Sequence, residues 1–553
     1  MRRFDYHAIV VGSGFGGSVV AHRLATHRER PWDVCLLERG KSHPPGKFPR
    51  TPYEAKRGFW DPDQQLHGLF DVWSFSGLAA VVASGVGGGS LIYANVLERP
   101  PDGWLSYTDP EYATSRKWPL KAGDLTEHFA AVEGMLRPQP YPDVGPFHDT
   151  PKTHAFRSAA GKAGLKHRAS RLAVQFADDE GRTGTRLPFG HPADNRYGVQ
   201  RLTCEMAGEC DIGCNLGAKH TLDLTYLSEP TNDHLEVREL TEVKSFRPHD
   251  GGFEVTALDR SGGAAEPPKL ITLTCSRLVL AAGTLGTVLL LLRNRLALPR
   301  LSHRVGAQFC GNGDYLAFVA DCAPVDNGSV PIQPSRGPVI TATAHGRDRE
   351  EGGDGPGFHL QDGGYPGWAS WLSELGGVRR DLKRIELYAR RVVEGQLRGD
   401  PDENLSAELS GLVGDDGAHL LPILSIGREV PSGRLRLRGK RLDLDWRKDE
   451  SAALYERTEA AARRMAKALG GHYADPLRLL RPITVHPLGG CAMSPDRDSG
   501  VVDSWGRVHG VPNLSIADGS ILPGPVGINP ALTIAALADR HASWLIGEGI
   551  PEA

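Results

Sequence analysis

The chain has 553 residues, enough to bury two hydrophobic cores. Its formal net charge is −3, with Lys+Arg 64 against Asp+Glu 67, so no nucleic-acid or polyanion partner is expected. No apolar run reaches the roughly 18 residues a membrane span needs. Met1 leads almost directly into the first apolar run, leaving no room for a signal peptide, and the expected location is cytoplasmic. Eight cysteines in this length do not form a disulfide framework.

Residues 7–11 (HAIVV) read as a short strand. Gly12, Gly14 and Gly17 follow in the order G-x-G-x-x-G, with Phe15 and Gly16 between, and residues 19–24 read as the start of a helix. The first glycine permits a tight turn, the second lets backbone approach a pyrophosphate, and the third lets helix pack on strand. Free N–H groups at the helix start then face the phosphates. Residues 34–37 form the next strand, closed by Glu38, 21 residues after Gly17, where an acid suits the adenosine ribose hydroxyls. Residues 85–91 (GVGGGSL) come next, then Asn95. Gly85, Gly88, Gly89 and Ser90 let backbone lie flat against a ring or phosphate, where a Cβ would collide.

Cys204, Cys210 and Cys214 have five and then three residues between them. Thiolates at such spacings hold zinc or an iron–sulfur cluster, and three would suit a [3Fe-4S] cluster. The other reading is a buried loop of reduced thiols. Residues 278–287 (LVLAAGTLGT) run as an apolar strand into a small-residue turn at Ala282 and Gly283, where backbone would pass the nucleotide. Residues 346–357 (GRDREEGGDGPG) have no apolar period and are expected as a surface loop or a mobile lid beside the substrate pocket. Residues 378–393 read as a helix with Val378, Leu382, Ile385, Ala389 and Val392 along one face. Its other face is basic, either simply solvated or set against an anionic membrane surface. Residues 434–446 alternate around Gly439 as a hairpin, with Leu435, Leu437, Leu442 and Leu444 on one buried face. Residues 449–469 form an amphipathic helix stopped by Gly470 and Gly471.

The last informative stretch runs from His486 in HPLGGC to Pro530 in GINP. Asp518 and Gly519 follow the apolar residues 514–517, placing an acid to hydrogen-bond the ribityl or pyrophosphate region of a cofactor. Asn529 follows His486 by 43 residues. Flavin-linked alcohol oxidation needs such a pair, one group to accept the hydroxyl proton and one to hold the oxygen. Nucleotide segments spread over both ends and the middle fit a large two-part cofactor, FAD, better than a compact NAD domain.

Together, residues 12–17, Glu38, GVGGGSL, AAGTLGT, HPLGGC and VGINP resemble the glucose-methanol-choline (GMC) oxidoreductase family, in its bacterial cholesterol oxidase branch with non-covalent FAD. The resemblance spans roughly half the chain. It implies an α/β fold in which a Rossmann-type FAD domain is joined to an α+β substrate domain built on a large mixed or antiparallel sheet covered by helices. Residues 1–310 would form the FAD domain, with substrate-side insertions around 100–200. Residues 311–480 would bind substrate, and 481–553 would return to the FAD domain. The resemblance places Val243, in a strand over 236–243, against the adenine, and His486 and Asn529 beside the flavin and the substrate hydroxyl. It implies a bulky hydrophobic, sterol-like secondary alcohol as substrate, and oxygen or another electron acceptor. The cysteine spacing is also similar to that of family dehydrogenases that pass electrons through a cluster to a partner. A flavoprotein without a redox role is a third reading. Family members of the sterol branch carry a glutamate that shifts a double bond after oxidation. Here Gln361 aligns with it, and an amide carries no titratable proton acceptor, so isomerisation would need Asp362 instead.

Overall fold

The computed structural model describes residues 3–549 apart from 366–418 and the shorter stretches 50–53, 55, 102, 112–113, 122, 179, 188–194, 229–232, 264–265, 324–330 and 475–481. The basic helix expected over 378–393 lies outside the described residues.

The apolar run near the N-terminus forms the strand Tyr6–Val11, paired in parallel with Val34–Leu37 on one side and Lys269–Leu280 on the other. Leu235–Arg238 extends the sheet past Val34–Leu37, and Leu514–Ile516 pairs with the end of Lys269–Leu280, both in parallel. Burial on both faces explains why these strands read as continuous apolar runs: Ala8, Ile9, Val10, Leu36 and Leu280 are all fully buried. The first half of Lys269–Leu280 instead pairs antiparallel with Gly252–Asp259, which pairs in turn with Thr241–His249. The single strand expected over 236–243 is therefore two: it breaks between Arg238 and Thr241, where Leu240 takes a positive φ of 52°. After Leu280 the chain bends through Ala281 and Ala282, as expected of a small-residue turn. It then enters the helix Gly283–Arg293. The last helix, Ala531–Gly547, packs on the first, Phe15–Ala25, where Arg23 pairs with Asp539.

A second sheet of six strands runs Lys166–Ala169, Ala342–Gly346, Phe358–Asp362, Leu421–Gly427, Tyr315–Ala320, His472–Ala474, every pair antiparallel. Helices Pro151–Lys162 and Ala452–Ala468 cover one face, and their Phe156, Ala159, Leu454, Ala461 and Met465 pack on Leu360, Leu421 and Ile423. Strand alternation sends Gln361, Leu316, Phe318 and Leu424 to the other face. The hairpin Arg434–Arg438/Arg441–Asp445 forms as expected, but Leu437 is exposed while Leu435, Leu442 and Leu444 are buried. Leu437 sits too near the Gly439 tip to reach the core.

The stretch over 346–357 is a surface loop built on a capped turn. Asp348 caps a short turn at Arg349–Glu351, and its other carboxylate oxygen accepts the Gly357 N–H at 2.7 Å. None of these residues lines the main cavity. No helix among the described residues is long and apolar enough to cross a membrane.

Candidate active site

One cavity of about 1850 Å³ runs from the first glycine turn to the open face of the six-stranded sheet. Its volume exceeds the roughly 300–1,000 Å³ of a site for one drug-sized ligand, so it has room for a dinucleotide and a substrate. Gly12, Gly14, Phe15, Gly16 and Glu38 line one end. Gly88, Gly89, Val243, Ala282, Gly283, Asp518 and Gly519 line the middle. His486, Asn529 and Pro530 line the other end. Fifteen expected residues thus meet one cavity.

The phosphate end is shaped by backbone. Gly12 has φ +100°, and a Cβ there would collide with the Ala281 carbonyl. At Gly14 a Cβ would meet nothing within 4 Å, so the start of helix Phe15–Ala25 opens onto free space. A pyrophosphate fits there, against the free N–H groups of the helix. Glu38 accepts hydrogen bonds from Ser13 N (3.0 Å), Ser13 Oγ (2.6 Å) and Gly40 N (2.9 Å), which hold its carboxylate at the wall. Asp518 accepts from Thr287 Oγ1 at 2.5 Å and Ser520 N at 2.9 Å, and burial raises its pKa. These residues fit FAD.

Four expected contacts stand behind the wall instead. Gly17 faces the Gly12 carbonyl, where it lets helix pack on strand. Gly85 faces Leu91 and His43. Ser90 donates to Gly87 O at 2.7 Å and accepts from Leu222 N at 3.0 Å. Asn95 is fully buried with φ 66°, while its neighbours Ala94 and Val96 line the cavity.

At the catalytic end, His486 Nδ1 lies 2.8 Å from Asp314 Oδ1. Asp314 Oδ2 accepts Val485 N (2.8 Å) and Thr484 Oγ1 (2.9 Å), so the aspartate holds both the ring and its loop. With Nδ1–H donated to Asp314, the imidazole keeps its lone pair on Nε2. Asn529 Oδ1 accepts from Gln361 Nε2 at 2.8 Å, which leaves the Asn529 Nδ2 amide as a donor. The pair therefore offers one proton acceptor and one hydrogen-bond donor. Sequence reasoning missed Asp314, because its Gly-Asn-Gly-Asp setting reads as an ordinary turn.

Asp362 does not replace a glutamate at position 361. It faces the opposite side of the sheet, where Lys152 Nζ lies 3.2 Å away and Thr341 N, Thr341 Oγ1 and Ala342 N donate to it. Both ionic groups are fully buried. The cysteine loop is also structural in its surroundings. Cys204 packs in an apolar cluster with Cys210 and Cys214 at its edge, and burial raises the Cys204 and Cys210 thiols. Among the described residues, the only trio of ligating side chains within 4.8 Å of one another is Asp143, His148 and His154, so the three thiols do not converge on a zinc-like centre and the cluster gains no support. Lys219 explains the loop's place: its Nζ donates to Leu91 O (3.1 Å), Tyr93 O (3.0 Å) and Cys210 O, tying the loop to the cavity wall. Burial pushes that ammonium down to about 8. Beside it Asp211 lines the cavity, its carboxyl pushed up to about 6 by burial.

Residues 431–538 match the GMC oxidoreductase family model. The chain is 27% identical to a cholesterol oxidase of Acinetobacter baumannii, covering 99% of this chain and 95% of the relative. It is 28% identical to a cholesterol oxidase of Mycobacterium tuberculosis, covering 99% and 92%. The fold is similar to that of pyridoxine 4-oxidase from Mesorbium loti, with TM-score 0.58 and 17% identity over 98% of this chain and 99% of that one. The chain resembles the GMC oxidoreductases, by that model match and by its full-length relatives. It is an FAD-dependent alcohol oxidoreductase.

Proposed function

We propose that the protein oxidises a bulky hydrophobic secondary alcohol, of sterol-like dimensions, to a ketone, with oxygen as the electron acceptor. The observation that carries this reading is the pair of committed atoms at the catalytic end. His486 Nδ1 is engaged by Asp314 and Asn529 Oδ1 by Gln361, so only His486 Nε2 and Asn529 Nδ2 remain for substrate. Bound FAD supplies the hydride acceptor. His486 Nε2 takes the hydroxyl proton, directly or through one water. Asn529 Nδ2 donates to the alcohol oxygen and fixes which C–H bond faces the cofactor. Asp314 steadies the imidazolium that results. Leu316, Phe318, Val339, Ile340, Pro422 and Leu424 give the substrate end apolar walls. That lining, and the likeness to cholesterol oxidases, support a sterol-sized alcohol.

The product is expected to leave without a double-bond shift. Gln361 offers no carboxylate to accept and return a proton, and Asp362 is turned towards Lys152. The test is a panel of sterols, sugars, and aryl and aliphatic alcohols, scored by flavin bleaching without oxygen. Fast bleaching by sugars with none by sterols would overturn the substrate class. A conjugated enone as the first product of a sterol would overturn the missing isomerisation. Peroxide release under air checks the acceptor.

A further inference from the structure

His486 and Asn529 arrive on two separate loops, and a hydride transfer geometry depends on their spacing. These loops are joined behind the site, where Cys491 N donates to Ser520 O at 2.8 Å. Nearer the catalytic side chains, both are held by the same four residues, 311–314, which link the strands Ala307–Cys310 and Tyr315–Ala320. Asp314 grips the His486 loop through the ring, Val485 N and Thr484 Oγ1. Two residues earlier, Asn312 grips the other loop. Its Oδ1 accepts Gly527 N at 2.9 Å and its Nδ2 donates to Ile528 O at 2.9 Å. Ile528 immediately precedes Asn529.

The segment itself is rigidly seated. Glu429 Oε2 accepts Gly311 N (2.9 Å) and Gly313 N (2.8 Å), its Oε1 accepts Trp446 Nε1 (2.5 Å), and Asn312 O accepts Gly427 N (3.0 Å). Asn312 is fully buried, with φ 57°. Asparagine tolerates that left-handed conformation better than most residues. Its amide supplies a donor and an acceptor to neighbouring backbone groups of the same turn, which a similarly sized leucine or an ionised aspartate does not.

We infer that Asn312 is a positioning residue: with Asp314 it forms a brace that sets where Asn529 stands relative to His486. This rests on the proposed roles of that pair. The backbone two residues apart spans at most about 7 Å, so one short rigid segment references both catalytic groups.

The test uses the FAD-loaded full chain and follows anaerobic flavin reduction by cholesterol in detergent micelles, or by the fastest alcohol of the panel if cholesterol does not bleach the flavin. Asn312→Gly keeps the backbone conformation and removes the clamp. It is expected to slow the limiting reduction rate about 10- to 100-fold, as for a misplacement near 1 Å. Flavin content should hold, and the half-saturating alcohol concentration should change less than about threefold, because ground-state binding is untouched. Asn312→Asp, which keeps the acceptor for Gly527 N, should recover part of the rate. If Asn312 acts through Asn529, Asn312→Gly combined with Asn529→Ala is no slower than Asn529→Ala alone. An unslowed Asn312→Gly, a loss of affinity in place of rate, or an additive double variant each overturns the brace. Should Asn312→Gly fail to hold flavin, Asn312→Asp carries the same cycle with a smaller slowing. If Asn529→Ala is itself silent, the role of Asn529 falls and the brace falls with it. If Asn529→Ala is slow and Asn312→Gly is not, only the brace falls.

Discussion

The two ends of the cavity are built from different materials. At the phosphate end the working groups are backbone, shaped by glycines at 12 and 14 and by the start of one helix, all within a few residues of one another. At the proposed catalytic end they are side chains, and each depends on a partner distant in sequence: Asp314 behind His486, Gln361 behind Asn529. A backbone site fails when any Cβ intrudes. A side-chain site fails by degrees, according to how far each partner is removed from the reacting atoms.

The largest effect is expected at the backbone end. Gly12→Ala puts a methyl into the Ala281 carbonyl at a φ of +100°. The purified variant should carry no flavin absorbance, and a normal flavin spectrum would refute the steric account. Next comes His486→Ala, which should keep its flavin but lose roughly 10²–10⁴-fold in turnover. Wild-type-like turnover would remove His486 from the chemistry. Asp314→Asn should fall in between, about 10- to 100-fold slower in flavin reduction, since it orients the base without touching substrate. A loss as large as that of His486→Ala would make Asp314 part of the reacting pair itself.

The smallest effect concerns pH. Burial pushes Glu429 up to about 7 from an ordinary 4.5, although three N–H groups donate to it. The folded state therefore holds a proton the unfolded chain gives up. The stability linked to this proton is fully present below pH 4.5 and fades as pH rises to about 7. The whole span is worth about 3 kcal/mol. Denaturation of Glu429→Gln should show a flatter fall across that window, and an unchanged slope would assign the fall to other groups.

Much of the phosphate end was legible in the sequence because its determinants are local. A strand, a glycine turn, a helix and an acid at the next strand end each leave a mark within about 30 residues. Position on or behind the wall was not legible: Ser90 and Asn95 belong to the right segment, yet their side chains turn into the protein. Gln361 and Asp362 are adjacent in the chain but face opposite sides of a strand, and only the covering helix Pro151–Lys162 decides that Asp362 meets Lys152. The cysteine spacing pointed to a metal centre with equal force whether or not the sulfurs converge, since spacing along a loop does not set directions in space.

By itself the sequence determined the cofactor class and pointed to His486 and Asn529 as the proposed catalytic pair. Glycine patterns and the two loop motifs are short-range demands of the chemistry on the backbone. The tertiary structure alone decided which atoms of that pair are free to act. Asp314 takes Nδ1 of His486, and Gln361 takes Oδ1 of Asn529, from 172 and 168 residues away. No short-range pattern encodes such partners. They meet only because the six-stranded sheet carries them to the same cavity wall.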